Sequence, residues 1–260
     1  MTANQYTIET LLRGLDILIL FTRETPSLTL TEITTKTGLS KATVFRFVST
    51  LEQAGYLVRD PETKRYTPGL KVLQLGFAAI SSLELRQVAR PFLQELSQRV
   101  GETSSLSILD GMEIIYVDRV RNRQIVGVVL GLGSRLPAHC TSMGKAILAN
   151  LEQGELEARL EKIDLKPCTP NSLVDDGRLN SELEKIRQQG FAVNDEELEI
   201  GLRAVAAPIW DSSHRVCGAI NVTGSAAMIS YERLIQDLAP EVIKTASRIS
   251  LALGYSPRPH

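Results

Sequence analysis

The sequence predicts a two-domain fold: an N-terminal all-α winged helix-turn-helix, a linker helix, and a C-terminal α+β domain. Three observations predict it. Residues 30–55 read as two short helices around a glycine turn, and a charged β-hairpin follows directly. Residues 70–100 hold two further helices. From residue 103 onward, β-type runs alternate with helices. A length of 260 residues suits two domains better than one.

Ile8 to Phe21 forms the first helix, with Ile8, Leu11, Leu12, Leu15, Leu18 and Ile19 at helical spacing and Arg13 and Asp16 on the outer side. Thr22 to Leu28, with Pro26, is a loop. Leu30 and Ile33 are the apolar points of the next helix, and Gly38 can take the left-handed conformation that ends it. Ser40 is a good N-cap for the third helix. There Val44, Phe47, Val48 and Leu51 repeat at i, i+3, i+4 and i+7, which defines a buried face. Lys41, Thr43, Phe45, Arg46 and Ser49 stand opposite. A helix-turn-helix places such a face in the DNA major groove; an αα-hairpin of another helical domain is the bland alternative.

The next residues favour DNA. Tyr56–Arg59 reads as a strand, Asp60–Lys64 as a turn and Arg65–Thr67 as the return strand. Three helices and such a hairpin make a winged helix, whose Arg59, Lys64 and Arg65 are placed to reach phosphates or a minor groove. A solvated charged hairpin is the competing reading. The candidate base-reading set is Ser40, Lys41, Thr43, Phe45 and Arg46, because short polar side chains, an aromatic against thymine and a cation against guanine or phosphate suit base edges. Phe45 could instead pack inward, but that would break the face set by Val44, Phe47, Val48 and Leu51.

Pro68-Gly69 closes the first domain, assigned to residues 1–68. The helix of residues 69–84 is apolar over a wide arc, through Leu70, Leu73, Phe77 and Ile80, and needs a partner such as another subunit. Residues 85–260 form the second domain. A helix bearing Pro91, Phe92, Leu93 and Leu96 runs to Gly101. Thr103–Leu109 and Glu113–Val120 are β-type runs joined by the turn signal Asp110-Gly111, and Ile125–Leu130 is another. Ser142–Leu151, Leu156–Ile163 and Leu179–Gln189 are read as helices. Phe191–Asn194, Arg203–Trp210 and Val216–Thr223 are read as strands, and Tyr231–Leu253 as a long closing helix. This is an α+β pattern.

The formal charge of −1 carries no global nucleic-acid signal, and its distribution shows a mild asymmetry that fits a DNA-binding module joined to a domain that does not bind DNA. Residues 1–70 hold eight basic and seven acidic side chains; residues 151–260 hold twelve and seventeen. A slightly basic head therefore precedes an acidic C-terminal part. Cys140, Cys168 and Cys217 are widely spaced and odd in number, which argues against a disulfide framework and for a reducing cytoplasm. No signal pattern opens the chain, and no apolar run approaches the roughly 18–20 residues that cross a bilayer.

Several independent stretches together resemble the IclR family of bacterial transcriptional regulators. They are Arg13-Gly14-Leu15-Asp16-Ile17-Leu18, Gly38 to Arg46, and Gly55-Tyr56-Leu57-Val58-Arg59-Asp60 in the first domain. In the second they are Leu109-Asp110-Gly111, Tyr116 to Val120, His139 to Ala146, Asp195-Glu196-Glu197, Gly201 to Pro208 and Gly218-Ala219-Ile220. The resemblance spans nearly the whole chain. It implies a DNA-binding head, a dimerising linker helix and a GAF-like effector-binding domain. It also implies dimers or dimers of dimers on palindromic operators, acting as repressors, activators or both in response to a small metabolite.

For the effector, Cys140, Thr141, Ser142 and Met143 open a helix after Pro137, and a helix start suits a carboxylate. An ordinary capped helix is the alternative. The family pattern places the pocket over this helix start and the adjoining sheet, and by motif position adds Asn194, Leu202, Ala204, Asn221 and Thr223. Asn221 and Thr223 alternate along one strand and so share a face. In the family the strand positions are often serine, that of Asn194 often acidic and that of Ala204 often cysteine. Ile125 and Val128 are further candidate walls.

No cofactor and no metal are expected. Asp195, Glu196, Glu197 and Glu199 read as a solvated acidic loop, and a zinc site would need the scattered His139, Cys140, His214 and Cys217 to converge. An enzyme would use Cys140 with His139, or Ser142 with Lys145, but neither pair has a nucleophile-elbow setting or a third group. An architectural DNA-binding protein without a ligand fits poorly with the length and the separate acidic domain.

Overall fold

The computed structural model describes residues 7–22, 24–81, 83–122, 130–161 and 165–256, of which 77, 79–81 and 153 as backbone alone. The strand run Ile125–Leu130 and the candidate walls Ile125 and Val128 fall almost wholly outside these residues. The chain divides into two compact units, Met1–Ser82 and Leu83–His260.

The first unit is a winged helix-turn-helix. Helices α1 (Glu9–Ile19), α2 (Leu30–Thr37) and α3 (Lys41–Gln53) precede strands β1 (Leu57–Arg59) and β2 (Tyr66–Pro68), and α4 (Leu70–Ser81) follows. Local chemistry sets the boundaries. Thr29 and Glu32 close a reciprocal capping box at the start of α2. Gly38 ends α2 at φ 68°, and the Ser40 hydroxyl accepts the Thr43 N–H at 3.2 Å to start α3. Ile17, Ile33, Val44, Val48, Leu57 and Tyr66 form a buried core.

The stripe read from α1 divides differently. Gly14 and Ile17 are its buried residues, while Ile8, Leu11, Leu12, Leu15 and Ile19 are exposed. The helix is apolar on more than one side, and one small bundle can cover only part of that surface. Leu70, Leu73 and Leu75 of α4 are exposed as well.

In the second unit, α5 (Glu84–Val100) leads into β3 (Thr103–Asp110) and β4 (Glu113–Val120), then β5 (Arg135–Pro137), a short 3-10 turn Ala138–Cys140 and α6 (Ser142–Leu148). Helices α7 (Gln153–Leu160) and α8 (Asp176–Gln189) precede β6 (Ala192–Asp195), β7 (Leu202–Trp210) and β8 (Val216–Ser225). The closing helix is continuous but not uniform: α9 (Tyr231–Arg233) passes through a π turn, Leu234–Leu238, into α10 (Ala239–Ala252). The six strands form one antiparallel sheet in the order β5-β4-β3-β8-β7-β6. One face packs on α5 and α10 through Leu106, Val205, Ile209, Ile220 and Val222. The other packs on α6 and α8 through Ile114, Tyr116, Ala206 and Ala219. Period-2 alternation divides β7 and β8 between the two cores.

A β-bulge interrupts this alternation in β4. Ser107 pairs with Tyr116, but Leu106 pairs with Asp118, so Val117 is an extra residue. Tyr116 and Arg119, three apart in sequence, therefore emerge on the α6 face. Asp118 emerges on the α5 face, where Arg90 Nη1 donates to its Oδ1 at 2.6 Å and Arg86 Nε lies 3.5 Å from its Oδ2.

Candidate ligand pocket and nucleic-acid face

On the α6 side, two cross-strand rows carry polar residues. Arg119, Ser105 and Asn221 lie side by side across β4, β3 and β8. Thr223, Ala204 and Asn194 lie side by side across β8, β7 and β6. The start of α6 closes over these rows, and a narrow cavity of about 20 Å³ lies between, room for about one water.

Of the effector residues read from sequence, Thr141, Ser142, Asn194, Leu202, Ala204, Asn221 and Thr223 line this cavity. Cys140 and Met143 are not among its lining residues. Both are fully buried, and Met143 packs in the core between α6 and the sheet, as successive residues at a helix start point apart. Ser105, Tyr116, Arg119, Leu130 and Leu198 also line the cavity; Tyr116 and Arg119 lie in a stretch that carried the resemblance, but none of the five was read as a ligand residue. Regular alternation from Tyr116 would have turned Arg119 away, and no residue in the sequence announces the bulge.

Unsatisfied buried polar atoms concentrate here. Arg119 Nε, Ser142 Oγ, Asn194 Oδ1 and Asn221 Oδ1 are buried without a hydrogen-bond partner, and all four residues line the cavity. Such atoms are rare in a folded protein and point to a missing partner. The Asn194 amide orientation is set from behind: its Nδ2 donates to the Cys140 carbonyl, leaving Oδ1 as an acceptor. Burial pulls the Arg119 guanidinium below its usual value, and Arg121 adds to this, but the group stays cationic at neutral pH. Burial also pushes the Tyr116 phenol up to about 12. Thr141 caps α6 from within, its hydroxyl accepting the Gly144 N–H at 3.0 Å. The cationic donor in the cavity is thus Arg119, not the helix start alone.

Behind the cavity, Lys145 Nζ lies 2.5 Å from Glu197 Oε1. This contact commits Lys145, so no Ser142–Lys145 catalytic pair is set up. His139 Nε2 lies 3.0 Å from the Lys166 carbonyl, and Cys140 Sγ lies 4.0 Å from the same oxygen. His214 stacks edge-on against Tyr255, and Cys217 Sγ faces the Ile209 carbonyl at 3.5 Å. Among the described residues, no three His, Cys, Asp or Glu side chains converge as metal ligands.

In the first unit, Ser40, Lys41, Phe45 and Arg46 are exposed along the start of α3 and Thr43 is half-buried. Phe45 is 52% exposed while Val44 and Val48 are fully buried. On the wing, Arg59 and Lys64 are exposed. Arg59 lies over the Tyr66 ring, and Lys64 Nζ donates to the Pro61 carbonyl. Arg65 is engaged elsewhere: Nε donates to Ser27 Oγ at 2.8 Å, and Nη2 donates to the Ser27 carbonyl and to Glu32 Oε2. It ties the wing to the loop before α2 and to its capping box.

These two parts match known proteins along their length. The bacterial transcriptional regulator IclR C-terminal domain matches residues 77–251, and the IclR helix-turn-helix domain matches residues 10–61. The chain is 35% identical over 248 residues to the HTH-type transcriptional regulator XynR of Escherichia coli (strain K12), covering 95% of this chain and 98% of that one. It is 36% identical over 239 residues to the Pca regulon regulatory protein of Pseudomonas putida, covering 92% and 81%. The crystal structure of the Thermotoga maritima IclR superposes with a TM-score of 0.74 at 32% identity, covering 96% of this chain and all of that one. Among the described residues, no helix is long and apolar enough to cross a membrane. With both domains matched and full-length relatives above 30% identity, this chain belongs to the IclR family of transcriptional regulators.

Proposed function

We propose that this regulator binds operator DNA through α3 and the wing, and that a small hydroxylated organic acid in the sheet-side cavity controls that binding. The observation that carries the ligand reading is the unpartnered Arg119 Nε in a cavity that also holds two unpartnered asparagine carbonyl oxygens. A buried guanidinium edge calls for a carboxylate. The acceptors on Asn194 and Asn221 call for hydroxyl or N–H donors on the same molecule. Ser142 and Thr223 can serve either way.

Any hydroxylated organic acid is larger than the present cavity, which has room for about one water. Binding therefore selects a widened arrangement of α6, β4 and the Leu198 segment, and it shifts the protein only by its preference for that arrangement. On the DNA side, Ser40, Lys41, Thr43, Phe45 and Arg46 form the base-reading set, with Arg59 and Lys64 for phosphates. The exposed leucines of α1 and α4 support a homodimer, with residues 69–84 as the linker, on a two-fold operator.

The test has two steps. The full chain is screened by thermal shift against a panel of aliphatic, sugar and aromatic acids with their amides, and each hit is added to binding reactions with operators selected from random DNA. Acids that raise the melting temperature and change operator affinity support the reading. Equal response to the amides removes the carboxylate.

A further inference from the structure

Strand β6 is an edge of the six-stranded sheet, paired with β7 alone. The Glu196 N–H donates to the Leu202 carbonyl at 3.0 Å, in the same register that sets Asn194 opposite Ala204. Hydrogen-bonded pairs alternate along an antiparallel ladder, so Asn194 bonds to β7 and its neighbours do not. Val193 and Asp195 therefore turn their main-chain N–H and C=O groups outward, to the free edge.

Beside this edge lies a cleft of about 490 Å³, walled by residues 170–173 and by Arg178, Glu182 and Lys185 of α8. It shares no lining residue with the acid cavity. Glu197 lines it and is 8% exposed. Its Oε1 meets Lys145 Nζ, while its Oε2 is buried without a hydrogen-bond partner. Burial raises the Glu197 carboxyl, Lys145 offsets this only in part, and Glu182 adds to the rise. A further cation beside Oε2 would relieve that cost. Among the described residues, no three acidic side chains converge here as metal ligands, so the group that fits is an N–H cation.

The same cleft carries the opposite demand. Arg178 is exposed, and among the described residues its guanidinium has no hydrogen bond or ion pair. Lys185 reaches only Glu182, at 3.9 Å. Asp195 is already committed to Arg203, whose Nε donates to its Oδ1 at 2.6 Å. The uncommitted guanidinium fork suits a carboxylate, which it can hold through two parallel bonds.

We propose that this cleft is a second small-molecule site and that it binds a free α-amino acid. The ammonium group donates to Glu197 Oε2, and the carboxylate takes the Arg178 guanidinium with Lys185 adding charge. The outward carbonyl and N–H of Val193 offer the same two groups a further acceptor and donor. The ligand side chain lies against Leu173 and Tyr231, which favours apolar and aromatic amino acids. A simple acid would leave Oε2 unpaired, and a simple amine would leave Arg178 unused.

The test is calorimetric titration of the full chain with each common amino acid, then with the N-acetyl and decarboxylated forms of every one that binds. The expected result is millimolar or tighter binding of one or more apolar or aromatic amino acids. Their N-acetyl and amine forms should bind about tenfold more weakly or worse. Arg178→Ala changes an exposed position outside the acid cavity. It should cost about tenfold in affinity with the melting temperature of the free protein unchanged, which separates this site from binding at Arg119. Glu197→Gln should weaken the ammonium contact by a similar factor, and because it also alters stability the Arg178 variant carries the decision. The proposal is overturned if no free amino acid binds at millimolar concentration, if an N-acetyl form binds equally, or if Arg178→Ala keeps full affinity. Tighter binding of an extended peptide than of any free amino acid would make the β6 edge a strand-pairing surface and overturn it too.

Discussion

Lys145 and Glu197 form an ion pair sealed inside the effector domain: Nζ lies 2.5 Å from Oε1, with side-chain exposures of 1% and 10%. It joins the middle of α6 to the loop after β6, and both elements border the cavity. Removing one partner leaves a buried uncompensated charge. Lys145→Ala is therefore expected to destabilise the protein by about 3–5 kcal/mol, whereas Lys145→Met with Glu197→Leu should recover most of that loss. Urea unfolding of the single and double variants measures both, and additive losses would show that the pair is not coupled.

The same pair sets a pH dependence. Burial raises the Glu197 carboxyl above its usual value of 4.5, and Lys145 offsets only part of this. A raised folded-state value means that the contribution of this group is full below about 4.5 and is lost as pH rises through its folded-state value. Glu197→Gln should flatten that part of the stability curve. The comparison is between melting profiles of the parent and the variant across pH 4–8, and a parallel offset with no change of slope would contradict the assignment.

Arg119 is expected to decide whether the cavity takes acids. Arg119→Gln keeps a donor but removes the charge, and should weaken binding of any acid hit by about 2–5 kcal/mol, roughly thirtyfold or more, while leaving the fold intact. Calorimetric titration of the full chain gives this directly. Unchanged affinity would place the anion elsewhere. Asn194→Asp puts a second charge beside the ligand and should also disfavour acids, more strongly at pH 8 than at pH 5.

The DNA face separates by type of contact. Arg46→Ala is expected to relax base preference and cost about 1–3 kcal/mol on a selected operator. Arg59→Ala should weaken all sequences alike and reduce the salt slope by about 1. Arg65→Ala should do neither in the first instance. It should lower the melting temperature, because Arg65 ties the wing to Ser27 and Glu32. Operator titrations at several salt concentrations, run beside melting curves, distinguish the three.

Much of this fold was legible because local chemistry agreed with tertiary packing. Gly38, Ser40 and the spacing of Val44, Phe47, Val48 and Leu51 specify α2, the turn and α3 without outside help. Gly144 was legible only as part of a motif. A Cβ there would sit 2.2 Å from the Ala138 carbonyl oxygen and 2.4 Å from its Cα, so the 3-10 turn packs on bare backbone. Gly144→Ala should cost about 1–3 kcal/mol or more through forced displacement of that turn, seen as a lower urea midpoint.

The cavity was half legible. Its β7 and β8 residues follow simple alternation, so motif positions led to Asn221, Thr223, Leu202 and Ala204. Ser105, Tyr116 and Arg119 escaped because strand pairing and a bulge placed them, and neither leaves a local mark in sequence. The α1 stripe misled for the opposite reason: its apolar pattern is real, but residues on one helix cannot reveal which of two apolar faces the unit will cover.

If the cavity takes an acid as proposed, the bulge at Val117 also governs what kind of molecule this protein would sense. Asp118 and Arg119 are neighbours of opposite sign that project to opposite faces of one sheet. If β4 paired without the extra residue, Asp118 would move to the cavity side and Arg119 would turn toward Arg86 and Arg90. The receptor would then prefer an amine to an acid, with no change in composition. The two α5 arginines guard against that slip, because they hold Asp118 in place and would repel Arg119. Reversing a sensor's charge preference here is a question of strand register before it is one of side-chain substitution.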